Sequence, residues 1–404
     1  MSGVADAKRP AHAARLPTAV WALGGVSLLM DMSSEMIHGL LPVFLVAVLG
    51  ASAATVGLIE GIAEATASIT KLISGGLSDR LGRRKHLALL GYGLAAATKP
   101  LFALAATPLW VLAARFVDRV GKGIRGAPRD ALIADVTPAP QRGSAYGLRQ
   151  SLDTIGGVAG PLIAALLMAA SGDDYRLVFW IAVAPAFASV VVLALGVREP
   201  APRIARAERL PLDVAELRRL GKSFWLVIML TAVLALARYS EAFLLLRVEG
   251  LGLAAAATPL VLVTMNVVYA LSAYPAGRLS DRLGRRFLFV AAGAAVYVAA
   301  NLTLAFAQAV AVAVLGAALW GLHLGLTQGL LAGLVADTVQ PSRRGAAFGI
   351  FHFTTGAALL PASLAAGIAW DALGPSAPFL LAAALVGVAV PGLALVMRRA
   401  PKPH

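Results

Sequence analysis

Cysteine is absent from the 404 residues, which excludes disulfides and thiolate metal sites and leaves the redox compartment unreadable. Charge is scarce as well: Asp, Glu, Lys and Arg make up 14% of the chain, against roughly 25% in a soluble domain. No phosphate-cradling Walker sequence occurs and no cytosolic domain is evident, which argues against a nucleotide-driven pump. Apolar residues are what the chain has in excess, at 59%. Runs such as LVFWIAVAPAFASVVVLALGV at 177–197 reach the about 20 residues that a helix needs to cross a hydrocarbon core.

Charge clusters and Pro/Gly turns divide the chain into twelve predicted spans, at 18–49, 54–77, 86–106, 108–134, 143–171, 175–197, 223–248, 255–277, 287–307, 309–336, 345–370 and 376–397. Asp31 and Glu35 interrupt the first, and no small-residue cleavage site follows, so it is expected to stay as a helix and not to be removed as a signal.

The net charge of +14 invites a nucleic-acid reading, but its distribution argues against one. Lys8, Arg9 and Arg15 precede the first span, Arg80, Arg83, Arg84 and Lys85 follow the second, and Arg203, Arg206, Arg209, Arg218, Arg219 and Lys222 fill the central loop. The opposite loops are uncharged (GASAAT, 50–55) or mainly acidic (SGDDYR, 171–176). This is the positive-inside bias, and it predicts a multi-pass protein of the cytoplasmic (inner) membrane of a bacterium or archaeon, with both termini cytoplasmic.

The octapeptide LSDRLGRR occurs twice, at 77–84 and 279–286. Its offset of 202 residues also relates IADVTPAPQRGSAYG (133–147) to VADTVQPSRRGAAFG (335–349), and an offset of 206 pairs SSEM (33–36) with YSEA (239–242). Two parallel halves that rock about a midplane site are what an alternating-access carrier needs. The expected fold is an all-α integral membrane protein with twelve transmembrane helices in two pseudo-symmetric six-helix bundles. Its expected parts are a cytoplasmic tail at 1–17, bundles at 18–197 and 223–397, a Pro- and Arg-rich linker at 198–222 and a second tail at 398–404.

Over nearly its whole length the chain resembles the major facilitator superfamily. Gly75, Leu77, Asp79, Arg80, Gly82, Arg83 and Arg84 match the family's loop motif G-x-L-x-D-R-x-G-R-[RK], and Gly277, Leu279, Asp281, Arg282, Gly284, Arg285 and Arg286 match it again. Arg119 and Gly123 are similar to the R-x-x-x-G pattern of the fourth helix, with Lys122 where Gln is more usual. Gly156, Gly160 and Pro161 resemble the G-x-x-x-G-P element associated with antiporters, although Ala164 and Ala165 replace the glycines that often follow. The resemblance implies a monomeric secondary transporter, not an enzyme, that needs no cofactor and meets a small-molecule substrate, protons and lipid.

The octapeptide also has a reading that needs no family. Gly82 and Gly284 permit a tight turn, while Asp79 or Asp281 can receive Arg donors or face a helix N-terminus. Such a cluster can latch one conformation, with Asp135 and Asp337, equivalent at offset 202, as partners. The plainer reading is a loop of stop-transfer arginines that fixes topology.

Asp31, Glu35 and His38 share one face of the first span. Ionisable residues inside a membrane helix are costly and are functional candidates by default, and two acids one turn apart suit a reversible proton carrier. Permanent neutralisation by neighbouring helices is the structural alternative, and a divalent-cation site the third. In the fourth span Arg115 and Arg119 share a face, and Asp118 can pair with Lys122. Arg149 and Asp153 sit one turn apart in the fifth, and Arg238 and Glu241 occur in the seventh. At offset 202 Arg115, Arg119, Lys122 and Arg149 become Ala317, Gly321, Leu324 and Phe351, so charge is concentrated in the first half. Clustered arginines favour an anionic or zwitterionic group, or neutralise acids between helices. Glu60 and Glu64 line a vestibule or are solvated; Lys99, His323 and His352 read as locally hydrogen-bonded. The expected activity is proton-coupled export of a small organic solute, with divalent-metal efflux, organic-anion uptake and lipid flipping as alternatives. A membrane-embedded enzyme would leave the duplicated loop unexplained.

Overall fold

A backbone in lipid must satisfy its polar groups internally, and an apolar chain does so as helices. The computed structural model describes residues 16–81, 83–138, 141–198, 220–340 and 344–399. They form α1 (Thr18–His38, continued by Leu41–Val43 and a π turn at Phe44–Val48), α2 (Ala53–Leu81), α3 (Arg84–Leu104), α4 (Pro108–Val136), α5 (Arg142–Ser171) and α6 (Tyr175–Gly196). The second half repeats the series as α7 (Lys222–Ala237 and Ala242–Gly250), α8 (Pro259–Leu283), α9 (Arg286–Ala305), α10 (Val310–Asp337), α11 (Arg344–Leu373) and α12 (Ala377–Arg399). Nine stretches among the described residues are long and apolar enough to cross a membrane. α2 and α4 match them in length, at 29 residues each, but carry more charge.

Two spans expected to be continuous are broken. α1 stops at Gly39, just before Pro42, whose missing N–H and bulky ring end a helix. α7 opens at Arg238–Glu241, where the freed N–H of Ser240 donates to Ser363 Oγ of α11 at 3.0 Å. The breaks are not equivalent by the 206 offset, since 238–241 corresponds to 32–35 within α1, but both expose backbone only where neighbouring helices cover it.

Within the first bundle α1 packs on α5 and α6, and α4 on α2 and α3; in the second α10 packs on α8 and α9, and α7 on α11. The bundles meet where α2 lies on α11 and α5 on α8. The end of the molecule that carries both octapeptides is termed the motif end. At the opposite, distal end the halves are closed: a Cβ on Gly61 would fall 2.8 Å from Leu360 Cα. There Asp371 accepts the N–H groups of Ala53 at 3.0 Å and Ala54 at 2.8 Å. A carboxylate at a helix start meets both free donors and the positive end of the helix dipole.

At the motif end Gly284 takes φ +60° and closes α8, a left-handed turn that glycine adopts without steric cost. Arg286 then donates to Asp281 at 2.8 Å and to Asp337. Its counterpart Arg84 pairs with Asp135 at 2.6 Å and reaches the Ala131 carbonyl at 3.3 Å. The arginine that reaches the acid is therefore the last of the octapeptide. Arg83 and Arg285 immediately precede α3 and α9 and are exposed, as is Arg282, whereas Arg84 and Arg286 open those helices and lean onto α4 and α10. These pairs tie helices within each half and do not cross between halves. Gly277 lies within α8. Gly75, Asp79 and Arg80 lie in the last two turns of α2, where the backbone alone is described, and Gly82, with most of the tails and linker, lies outside the described residues.

Candidate functional site

α4 carries a cation on nearly every turn of one stripe, at Arg115, Arg119, Lys122, Arg125 and Arg129. The two nearest the distal end meet α2: Arg115 makes a two-pronged contact with Glu60, Nη2 to Oε2 at 2.5 Å and Nε to Oε1 at 3.2 Å, and Arg119 lies 3.2 Å from Glu64. The two nearest the motif end meet other helices. Arg125 lies 3.7 Å from Asp31 of α1 and over the Tyr92 ring at 4.7 Å, and Arg129 lies 4.0 Å from Asp153 of α5 and 3.2 Å from Ser27 Oγ. Lys122, between the two sets, has no hydrogen bond or ion pair within 4 Å among the described residues, and its side chain is exposed to a cavity.

Asp118, on the α3 side of the stripe, pairs with Lys99 at 2.9 Å; Lys99 also donates to Ser34 Oγ at 3.1 Å and is 0% exposed. Lys122, the partner expected within the helix, lies one turn on along the same face, but its long side chain is exposed to the cavity, and the buried Asp118 is matched by Lys99 of α3 instead. A fully buried ammonium needs such a counter-charge.

The stripe forms one wall of a cavity between the halves. Its larger lobe, of about 490 Å³, is lined by Asp31, Glu35, Lys122, Arg125, Arg129 and Asp153 from the first half and by Glu241, Asn266, Tyr269 and Gln328 from the second. A lobe of about 250 Å³ toward the distal end shares Glu35, Lys122 and Glu241 and adds Glu60, Glu64, Arg115, Arg119, His38 and Arg238. Arg238 and Glu241 flank the break in α7, so an interrupted helix brings both to the cavity. Among the described residues neither side chain makes a hydrogen bond or an ion pair within 4 Å. Arg119 keeps Nε and Nη1, and Arg125 keeps Nη1, without an acceptor among them. Arg149 lies 3.9 Å from Asp153 and donates to Gln150 at 2.6 Å.

Close packing sets the depth of the acids. A Cβ on Gly160 would fall 2.6 Å from Met32 O and 2.9 Å from Glu35 Cβ, so the Gly156, Gly160 and Pro161 segment of α5 lets α1 approach until Asp31 and Asp153 line the same lobe. Gly123 similarly seats α4 against Ala67 and Thr70 of α2.

Asp31, Glu35 and His38 do not converge as ligands. Glu35 lies 3.6 Å from His38, but His38 contacts Arg115 through Nε2, and Asp31 faces Arg125. Among the described residues no three His, Asp or Glu side chains gather as a cation site. Arg125, Arg129 and Lys99 were not legible as site residues from local spacing, although the matched i,i+4 pairs Glu60/Glu64 and Arg115/Arg119 were a usable signal for the α2–α4 contact.

Comparison with known proteins supplies the family. The Major Facilitator Superfamily profile matches residues 23–265 and 242–404. An uncharacterized MFS-type transporter of Methanocaldococcus jannaschii is 30% identical over 372 residues, 91% of this chain and 92% of that one. Multidrug resistance protein MdtH of Yersinia pestis is 30% identical over 172 residues, 42% of this chain and 40% of its own. Among solved structures, the nucleoside transporter NupG superposes with a TM-score of 0.77 at 13% identity, covering 95% of this chain and 100% of that one. A bacterial homolog of the human lysosomal transporter Spinster gives 0.72 at 18% identity, covering 95% and 98%. Profile, near full-length relative and shared fold agree: the chain belongs to the Major Facilitator Superfamily of membrane transporters.

Proposed function

We propose that this chain exports a small organic solute, anionic or zwitterionic, across the cytoplasmic membrane in exchange for protons, by alternating access. One observation carries the reading: the cavity between the halves is lined by charges of both signs, and the side chains of Lys122, Arg238 and Glu241 in it make no hydrogen bond and no ion pair within 4 Å among the described residues. Unpaired charges in a poorly hydrated space are costly unless a ligand uses them. A solute with a carboxylate can meet Lys122 or Arg238, and one with an ammonium can meet Glu241 or Glu35. The positive-inside distribution supports a cytoplasmic motif end, and in this reading the distal closure serves as an external gate. Asp31, Glu35 and Asp153 stand beside the arginines, so a proton taken up by an acid and a bound solute compete for the same cavity; that competition is the physical basis of exchange. The relative named for multidrug resistance matches less than half of the chain and lends support to export only in that part.

The test uses proteoliposomes that contain purified protein and a pH-sensitive dye. A panel of organic anions and zwitterions is added under an imposed pH gradient. The reading expects at least one solute to release protons in a protein-dependent way and to accumulate against its own gradient. Proton movement driven only by divalent metals, or solute movement indifferent to the gradient, overturns it.

A further inference from the structure

The duplicated backbone places the same recess in each half, but the two are lined by different chemistry. In the first half the positions are Arg125, Arg129, Arg149 and Asp153, of which Arg125, Arg129 and Asp153 line the larger lobe of the central cavity and Arg149 lies 3.9 Å from Asp153. Adding the offset of 202 gives Thr327, Leu331, Phe351 and Thr355, and these four line a separate chamber of about 320 Å³ between α7, α10 and α11. The chamber shares Arg238 with the smaller lobe of the central cavity and Gln328 with the larger one, so it opens off the same space.

The hydroxyls of its two threonines and one nitrogen of His323 are spent on backbone carbonyls, while Gln328 and His352 also line it. Thr327 Oγ1 donates to the His323 carbonyl at 2.8 Å, and Thr355 Oγ1 to the carbonyls of Phe351 and His352 at 3.0 Å, which leaves their methyl groups to the chamber. His323 uses Nδ1 on the Gly293 carbonyl at 2.9 Å, and its ring centroid lies 4.4 Å from that of Tyr297. Leu234, Leu331, Phe351 and Leu359 complete a largely apolar wall with one charge, Arg238, at its mouth.

We infer that this chamber takes the uncharged, aromatic portion of the transported solute while its charged end stays on Arg238 and Lys122 in the central cavity. The inference rests on the transport reading above and narrows it to amphiphilic organic acids or zwitterions that carry a ring. Volume agrees, since ligand pockets span roughly 300–1,000 Å³ with mostly apolar lining and few polar groups. An aromatic face also pairs favourably with Phe351 and the imidazole rings, and a guanidinium at the mouth with the ring or its acid.

The lack of native cysteine allows a direct test on full-length protein in detergent. Thr355→Cys places a thiol in the chamber and Thr154→Cys one in the charged lobe. Each reacts with a benzyl and a 2-sulfonatoethyl methanethiosulfonate, with the cysteine-free chain as blank. After correction for the reagents' solution rates, Thr355→Cys should favour the benzyl reagent by about ten-fold, the ratio that burial of a phenyl group supports. Thr154→Cys should favour the sulfonate. Leu331→Cys repeats the chamber measurement if Thr355→Cys does not fold. Equal or reversed preference in the chamber overturns the inference. So does silence in the chamber while Thr154→Cys reacts, and that outcome leaves the transport reading standing. Silence at all positions removes the accessible cavity itself, and the transport reading falls together with the inference.

Discussion

Asp371, at the end of α11 in the second half, accepts the backbone N–H of Ala53, at the start of α2 in the first half, at 3.0 Å. The same carboxylate takes the next N–H, of Ala54, at 2.8 Å, while Ser52 Oγ takes that of Thr55 at 3.2 Å. Three donors at the start of α2 are satisfied, two of them by a residue that must leave if the distal end opens. A helix cap is worth about 1 kcal/mol, so Asp371→Ala should shift the closed-to-open ratio by about five-fold. Spin labels at Ser52 and Ala372 report it: the native chain should give a short distance, and the variant should gain a longer component. An unchanged distance distribution would show that helix packing alone holds the end shut.

The duplicated octapeptide gives a second expectation. Arg84 with Asp135, and Arg286 with Asp281 and Asp337, fasten the motif ends of α3 to α4 and of α9 to α10. Asp135 is half-buried and its pair is the less hydrated, whereas Asp337 and Asp281 are exposed, and exposed pairs are worth little. Asp135→Asn should therefore cut transport several-fold with normal insertion, and Asp337→Asn less. The exchange Arg84→Asp with Asp135→Arg should recover part of the loss. A larger effect at Asp337 would mean that the second half carries the latch.

The twelve spans were legible because each is an apolar run closed by charge or by Gly and Pro, and Arg142–Ser171 or Val310–Asp337 differ from the expected limits by at most one residue. The break in α7 was not legible: VLALARYSEAFLLL contains neither Gly nor Pro, and its opening depends on Ser363 accepting the freed Ser240 N–H from another helix. The same limit hid the Lys99–Asp118 pair. Spacing along one helix names Lys122 as the partner of Asp118, while the actual counter-charge comes from α3. Charges visible in sequence thus marked the site, and tertiary packing decided which of them neutralise each other.

That division separates structural from ligand-facing cations. Arg115 is 3% exposed and held on Glu60 by two hydrogen bonds, so removal of one partner leaves a buried charge, at a cost of about 3–5 kcal/mol. Arg115→Gln should lower the melting temperature markedly, and adding Glu60→Gln should restore part of it. Lys122→Gln, which breaks no protein contact among those described, should leave the melt unchanged and weaken binding of any solute identified in the dye assay. Calorimetry beside a thermal melt compares them. Equal stability losses for Arg115→Gln and Lys122→Gln would undo the distinction.

The last expectation concerns proton coupling. Asp31 and Glu35 lie one turn apart, each line the larger lobe, and differ in company: Asp31 is 3.7 Å from Arg125, while Glu35 has only His38, at 3.6 Å, within ion-pair distance among the described residues. Glu35, which no guanidinium holds within ion-pair distance among the described residues and which shares the smaller lobe with Glu241 and Glu64, is the better placed of the two to answer a pH gradient. Glu35→Gln should therefore retain solute exchange but lose acceleration by an imposed pH gradient, and Asp31→Asn should keep that response and mainly tighten binding of an anionic solute by freeing Arg125. Proteoliposomes with and without the gradient, for the native chain and both variants, decide between them. If Asp31→Asn uncouples and Glu35→Gln does not, the proton site lies on the arginine-paired acid. If both respond to the gradient as the native chain does, the acids serve the solute or the fold, and coupling must be sought at Asp153, which shares the lobe with Arg129 and lies 3.9 Å from Arg149.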